Sequence, residues 1–93
     1  MTDMSTKKQS KPDWFNGDWY TTGDTVRNPF SGETYELTGP ELSMYDFIIG
    51  ATYTVEQDYS LNSDNTQQLI VDLEKGLRWF RKNNPKAYMV LLD

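Results

Sequence analysis

The sequence predicts a small α+β fold, with an N-terminal antiparallel hairpin or three-stranded element packed on a helical hairpin plus a short C-terminal helix. Three observations carry that prediction. Turn formers alternate with aromatic and β-branched residues through 14–37. Two long helical patterns follow, over 38–59 and 65–83. An Asn83-Asn84-Pro85 stop then sets off a last apolar stretch.

Residues 1–13 are polar and aperiodic, and Pro12 disfavours a helix there. They read as a flexible N-terminal arm ahead of one small domain over 14–93. Asn16-Gly17 is a hairpin-turn dipeptide, flanked by the aromatic pairs Trp14-Phe15 and Trp19-Tyr20. Gly23-Asp24 makes a second break. In the run from Val26 to Leu37, Pro29 presets φ for a turn and Gly32 supplies the left-handed residue that closes it. Val26, Tyr35 and Leu37 give that hairpin its apolar side.

Thr38 and Glu41 have capping-box spacing, with Pro40 able to shift the cap to Gly39. From there Leu42, Met44, Tyr45, Phe47, Ile48, Ile49, Ala51, Tyr53 and Val55 cover most of a helix circumference. Ser43, Asp46, Gly50, Thr54 and Gln57 form a narrow polar strip. A helix apolar over so wide an arc is expected at the centre of the fold. Gly50 on the strip allows a bend or a close backbone approach. After a loop at 60–65, Ser63 or Asp64 can cap a second helix whose stripe is Leu69, Ile70, Leu73, Leu77 and Phe80. Asn84 caps a third helix from Pro85 to Leu92, which folds Ala87, Tyr88, Leu91 and Leu92 back onto the body.

Composition narrows function more than it narrows fold. The 93 residues contain no Cys and no His. Disulfides, thiolate nucleophiles, imidazole bases and Cys/His zinc sites are thereby excluded. No dinucleotide fingerprint, P-loop or nucleophile elbow occurs. The expectation is therefore no enzyme, no cofactor and no metal. The apolar runs Phe47-Ile48-Ile49 and Met89-Val90-Leu91-Leu92 fall far short of the roughly 20 residues of a membrane span. No membrane association is expected, and the missing Cys fits a cytoplasmic protein. The net charge of −5 hides an asymmetry: +2 over residues 1–12, −11 over 13–74 and +4 over 75–93.

Three features stand out as candidate interaction sites. On the outer face of the second helix, Lys75, Arg78 and Lys82 lie together, with Val71 and Trp79 on the same side. Tryptophan and arginine are frequent interface anchors, and cations beside an aromatic also suit phosphate contact with base stacking. The plainer alternative is that the terminal helix covers Trp79 while Glu74 and Arg78 pair at i,i+4. The second feature is the group Trp14, Phe15, Trp19 and Tyr20. It is either a recognition surface or a small core that pins the N-terminal segment to the helices. The third is the acidic surface, with Glu33, Glu36, Glu41, Asp46, Glu56 and Asp58. It can mimic a phosphate backbone or hold a divalent cation weakly, although solvation is the ordinary role of such charges. Ser63-Asp64-Asn65 is not an EF-hand loop.

Two stretches carry a resemblance. One is Asn28-Pro29-Phe30-Ser31-Gly32, then Glu36-Leu37, Glu41 and Tyr45-Asp46-Phe47-Ile48. The other runs from Gly76-Leu77-Arg78-Trp79-Phe80-Arg81-Lys82 through Pro85 to Ala87-Tyr88-Met89-Val90-Leu91-Leu92-Asp93. Together they resemble short reading frames of tailed bacteriophages, particularly those of marine cyanobacteria, to which no activity is assigned. The resemblance implies expression in an infected bacterial cytoplasm and carries over no site residues. The expected function is a non-enzymatic accessory that binds a host or phage protein. The alternatives are a nucleic-acid-binding protein using the basic helix face and a minor virion component. The −11 middle region weighs against nucleic acid.

Overall fold

The structure, a computed structural model, describes residues 9–58 and 64–93. Two strands come first, β1 (Asp24–Arg27) and β2 (Thr34–Leu37), followed by α1 (Gly39–Gln57), α2 (Asp64–Asn83) and α3 (Pro85–Leu91). The architecture is α+β: a two-stranded antiparallel sheet beside three helices.

The hairpin forms where the turn chemistry is complete. Val26 pairs with Tyr35 and Asp24 with Leu37. The Asn28 side-chain oxygen accepts from the amides of Phe30 at 2.8 Å and Ser31 at 3.3 Å. The Gly32 amide donates to the Asn28 carbonyl at 2.8 Å. Gly32 takes φ 81°, the left-handed value that an L side chain resists. The second half of the Asn28 amide donates to the Val90 carbonyl at 2.9 Å, which ties the loop to α3.

Of the two expected forms of the N-terminal element, the hairpin is built and the three-stranded one is not, because residues 14–20 add no strand. Among the described residues the sheet has two strands, and Asn16-Gly17 lies in irregular chain. Two physical facts explain this. A type I′ turn needs positive φ at both central residues, and Gly32 is the positive-φ glycine of the described chain. Trp14 and Phe15 also both pack on Phe47, with ring centroids 5.6 and 5.7 Å away. Neighbours in a strand point to opposite faces and cannot share a ring in that way.

Thr38 keeps the N-cap of α1, with Pro40 inside the first turn, so the cap does not move to Gly39. The Thr38 hydroxyl accepts from the Glu41 amide at 3.2 Å, and the Glu41 carboxylate accepts from the Thr38 amide at 3.0 Å. Gln9 extends this box. Its amide nitrogen donates to Glu41 at 2.7 Å, and its carbonyl accepts from the Thr38 hydroxyl at 2.6 Å. Of the arm expected over 1–13, residues 1–8 lie outside the described residues, while Gln9 and Pro12 engage the body.

Met44, Ile48 and Phe80 are the most deeply buried large side chains, joined in the core by Phe15, Leu37, Ala87 and Leu91. Leu73, Leu77, Tyr88 and Leu92 pack against it half-buried. Helix α1 is buried along one side as far as Ala51 and mostly exposed beyond it. Ile49 is 46% and Tyr53 64% exposed, although both lie on its apolar arc. Ser43, read as part of the polar strip, is buried instead. It accepts from the Tyr20 amide at 2.7 Å and donates to the Gly39 carbonyl at 2.8 Å.

The close approach expected at Gly50 occurs elsewhere. Gly50 faces open space, whereas a Cβ at Gly76 would sit 3.2 Å from the Met44 sulfur and 3.4 Å from Ile48 and Phe47 atoms. Gly76 is therefore where α2 lies against α1. The Thr66 hydroxyl donates to Asp58, joining the first turn of α2 to the C-cap of α1. Ser63, one of the two expected caps of α2, lies outside the described residues, and Asp64 stands in the first helical turn. Asn84 caps α3 as expected, its side chain accepting from the Ala87 amide at 3.1 Å.

Candidate functional site

Helix α2 is amphipathic, and burying Gly76 and Phe80 against α1 turns Lys75, Arg78 and Lys82 outward. Trp79 sits beside Phe80 at the edge of the buried stripe. It is half-buried, and its ring meets Trp19 edge-on with centroids 5.7 Å apart. Its aromatic partner thus comes from the N-terminal segment. The terminal helix sends Tyr88 elsewhere, to lie under Arg81 with the guanidinium 5.5 Å from the ring centre.

The N-terminal segment supplies the rest of the wall. Phe15 is buried and stacks edge-on against Trp14, Trp19 and Phe47 at 5.8, 5.1 and 5.7 Å. Each such pair adds about 0.5–1.5 kcal/mol beyond area burial. The group Trp14, Phe15 and Trp19 is therefore a small core that anchors the segment on α1 and α2. It is also more than that, because Trp14 keeps part of its surface for a groove.

Pro12, Trp14, Lys75, Arg78, Trp79 and Lys82 line this groove, whose volume is about 340 Å³. Five of the six expected site residues thus converge: Lys75, Arg78, Lys82, Trp79 and Trp14. The sixth, Trp19, stands behind Trp79 as its support. None of the three cations has a carboxylate partner among the described residues, Glu74 included. The groove is thus apolar on its walls and positive at its rim, with Pro12 as a further rigid apolar element.

A larger depression of about 470 Å³ runs along Gly23, Asp24, Thr25, Glu36, Leu37 and Thr38. Its two carboxylates, Asp24 and Glu36, belong to strands that pair across the sheet. Of its hydroxyls, that of Thr38 is taken up by the α1 cap and Gln9. The smaller groove carries the more distinctive chemistry.

The acidic surface is thinner than its sequence. Glu41 is 4% exposed and serves the α1 cap and Gln9. Asp46 accepts from the Tyr20 hydroxyl at 3.1 Å. That hydrogen bond first, then the Asp46 charge, with smaller contributions from desolvation and Asp18, raises the Tyr20 phenol above its ordinary range. Burial raises the Tyr45 phenol, and the Asp46 charge adds to it. Among the described residues no three acidic side chains gather closely enough to hold a metal ion. No described helix is long and apolar enough to cross a membrane.

Comparison of the chain with protein-family models, curated proteins and solved structures finds no match.

Proposed function

We propose that the chain is a non-enzymatic interaction protein, and that the Trp14–Trp79 groove receives an acidic protein segment carrying an aromatic or large apolar anchor. The observation that carries this reading is the convergence of Trp14, Trp79, Lys75, Arg78 and Lys82 on one groove. Tryptophan walls desolvate an anchor, and cations at the rim, without a carboxylate partner among the described residues, select acidic neighbours and speed encounter. The composition supplies no imidazole base, no thiolate and no Cys/His metal site, which favours binding over catalysis. The resemblance of residues 28–48 and 76–93 to phage reading frames supports an accessory role in an infected bacterial cytoplasm, on a host or phage protein. A minor virion component is the variant of that role that mass spectrometry of purified particles tests.

The test is titration of the full chain with a synthetic acidic peptide bearing one Phe, followed by tryptophan fluorescence. The expected result is saturable binding that weakens with salt and drops at least tenfold in the triple variant Lys75→Glu, Arg78→Glu, Lys82→Glu. Equal binding by that variant would exclude the groove. The second reading, single-stranded nucleic acid, is favoured by the same tryptophans as stacking platforms. It predicts a low-salt gel shift with an oligothymidine that the triple variant loses. The net −11 of residues 13–74 opposes it.

A further inference from the structure

Phe30 is 97% exposed at the tip of the β1–β2 loop. A phenyl ring left in water is usually found on a mobile stretch, but this loop is held at several points. The Asn28 side chain accepts from the Phe30 and Ser31 amides, Gly32 bonds back to Asn28, and the Ser31 hydroxyl accepts from the Glu33 amide at 3.1 Å. The second arm of the Asn28 amide fixes the loop to Val90 of α3. The chain thus presents an aromatic knob whose ordering is complete before any contact is made, which lowers the entropic cost of binding. The hairpin that carries the knob is acidic on balance, with Glu33 in the loop region, Asp24 and Glu36 toward the far end of the strands, and the Arg27 guanidinium beside the loop at Gly32. Asp24, Glu33 and Glu36 against Arg27 give residues 24–37 a net charge of −2.

An acidic element with one rigid, exposed aromatic is the ligand class argued above for the Trp14–Trp79 groove, and this inference rests on that reading. We infer that a second copy of this chain is an occupant of the groove. Phe30 of one copy seats between Trp14 and Trp79 of the next, and Glu33 and Glu36 meet Lys75, Arg78 and Lys82. Knob and groove are different surfaces, so the contact is head-to-tail and does not close at a dimer by itself. One aromatic and a few rim charges bury less than the ~1,200 Å² of a stable interface, so the association is weak and transient. A partner with a better acidic anchor displaces the neighbouring copy, so self-association and partner binding compete for one groove.

Sedimentation equilibrium of the full chain over about 0.01–1 mM, the range of weak contacts, tests this. The expected weight-average mass rises with concentration above the 10.8 kDa of one chain and passes the dimer value. Phe30→Ser and the double variant Lys75→Glu, Arg78→Glu each stay monomeric alone. Mixed in equal amounts they form a heterodimer that grows no further, because only one knob and one groove remain intact. Phe30 touches almost nothing of its own chain, so an unchanged circular dichroism spectrum accompanies its loss. Wild type at one-chain mass throughout the range, or Phe30→Ser associating like wild type, overturns the inference. If the acidic Phe peptide still binds in that case, the groove reading stands and self-association alone falls. If peptide and self-association both fail, both fall.

Discussion

Two segments of this chain offer the same sequence signal, and only one becomes a hairpin. Residues 14–20 place Asn-Gly between aromatic pairs, and residues 24–37 place Asn-Pro-Phe-Ser-Gly between a valine and a Tyr-x-Leu strand. The second forms a ladder with a left-handed Gly32, a loop closed by Asn28, and a tie to α3. The first has no ladder, and its rings go one by one into the surface of α1 and α2. A turn dipeptide permits a hairpin, but competing uses of the flanking side chains decide whether one forms. Burying Phe15 among three rings is worth more than a two-residue ladder in water, which is marginal without packing.

The comparison can be broken at four places. Phe15→Ala should have the largest effect, about 3–5 kcal/mol for loss of a buried aromatic. That is a large part of the total stability of a small domain. A urea midpoint unchanged by Phe15→Ala would mean that the N-terminal segment is not core. Gly32→Ala comes next, at about 1–2 kcal/mol, because an L side chain is forced to positive φ. Gly17→Ala should stay within about 1 kcal/mol, since reduced freedom of the unfolded chain offsets mild crowding against Phe15. A new Cβ there would lie 3.1 Å from the ring. If Gly17→Ala matched the Gly32→Ala loss, residues 14–20 would hold a left-handed turn after all.

The smallest effect is pH-dependent. The Tyr20 hydroxyl donates to Asp46, so the folded phenol holds its proton above the ordinary value. A raised folded pKa contributes stability that is complete below about pH 10 and is lost as pH rises through the raised value. Ultraviolet titration of the phenolates should show two late tyrosines, Tyr20 and Tyr45, and Asp46→Asn should move Tyr20 the more strongly to earlier pH. No change in that variant would remove this tie between residues 14–20 and α1.

The elements that sequence made legible are those with local chemistry. Asn84-Pro85 is a cap and first turn in two residues, and Thr38 to Glu41 is a capping box in four. The Leu73, Leu77 and Phe80 spacing needs only helical geometry. Legibility ended where the decisive partner is distant in sequence. Gly76 looks like a helix weakness until Met44 and Ile48 are brought against it. Ser43 reads as solvated until the Tyr20 amide reaches it. The basic face and the tryptophans were each visible, but their shared groove depends on where an irregular segment crosses α2. Glu33, Glu36 and Glu41 look alike as carboxylates in a row of acids. Glu41 is set apart by Gln9, thirty-two residues away. Phe30 passed as a turn residue in sequence, since only its exposure reveals it as a knob.

The bond from Asn28 to the Val90 carbonyl also sets an order of events during synthesis. It joins residues 62 positions apart. On the ribosome the β1–β2 loop emerges well before α3, so its turn can close while its anchor is still unmade. The N-terminal aromatics likewise wait for α2 before Trp19 can meet Trp79. Non-local contacts of this kind slow folding and leave apolar surface uncovered in the interval. A nascent chain stalled before residue 90 would therefore carry Phe30 on a loop without its tether to α3, and would be the species most in need of a chaperone.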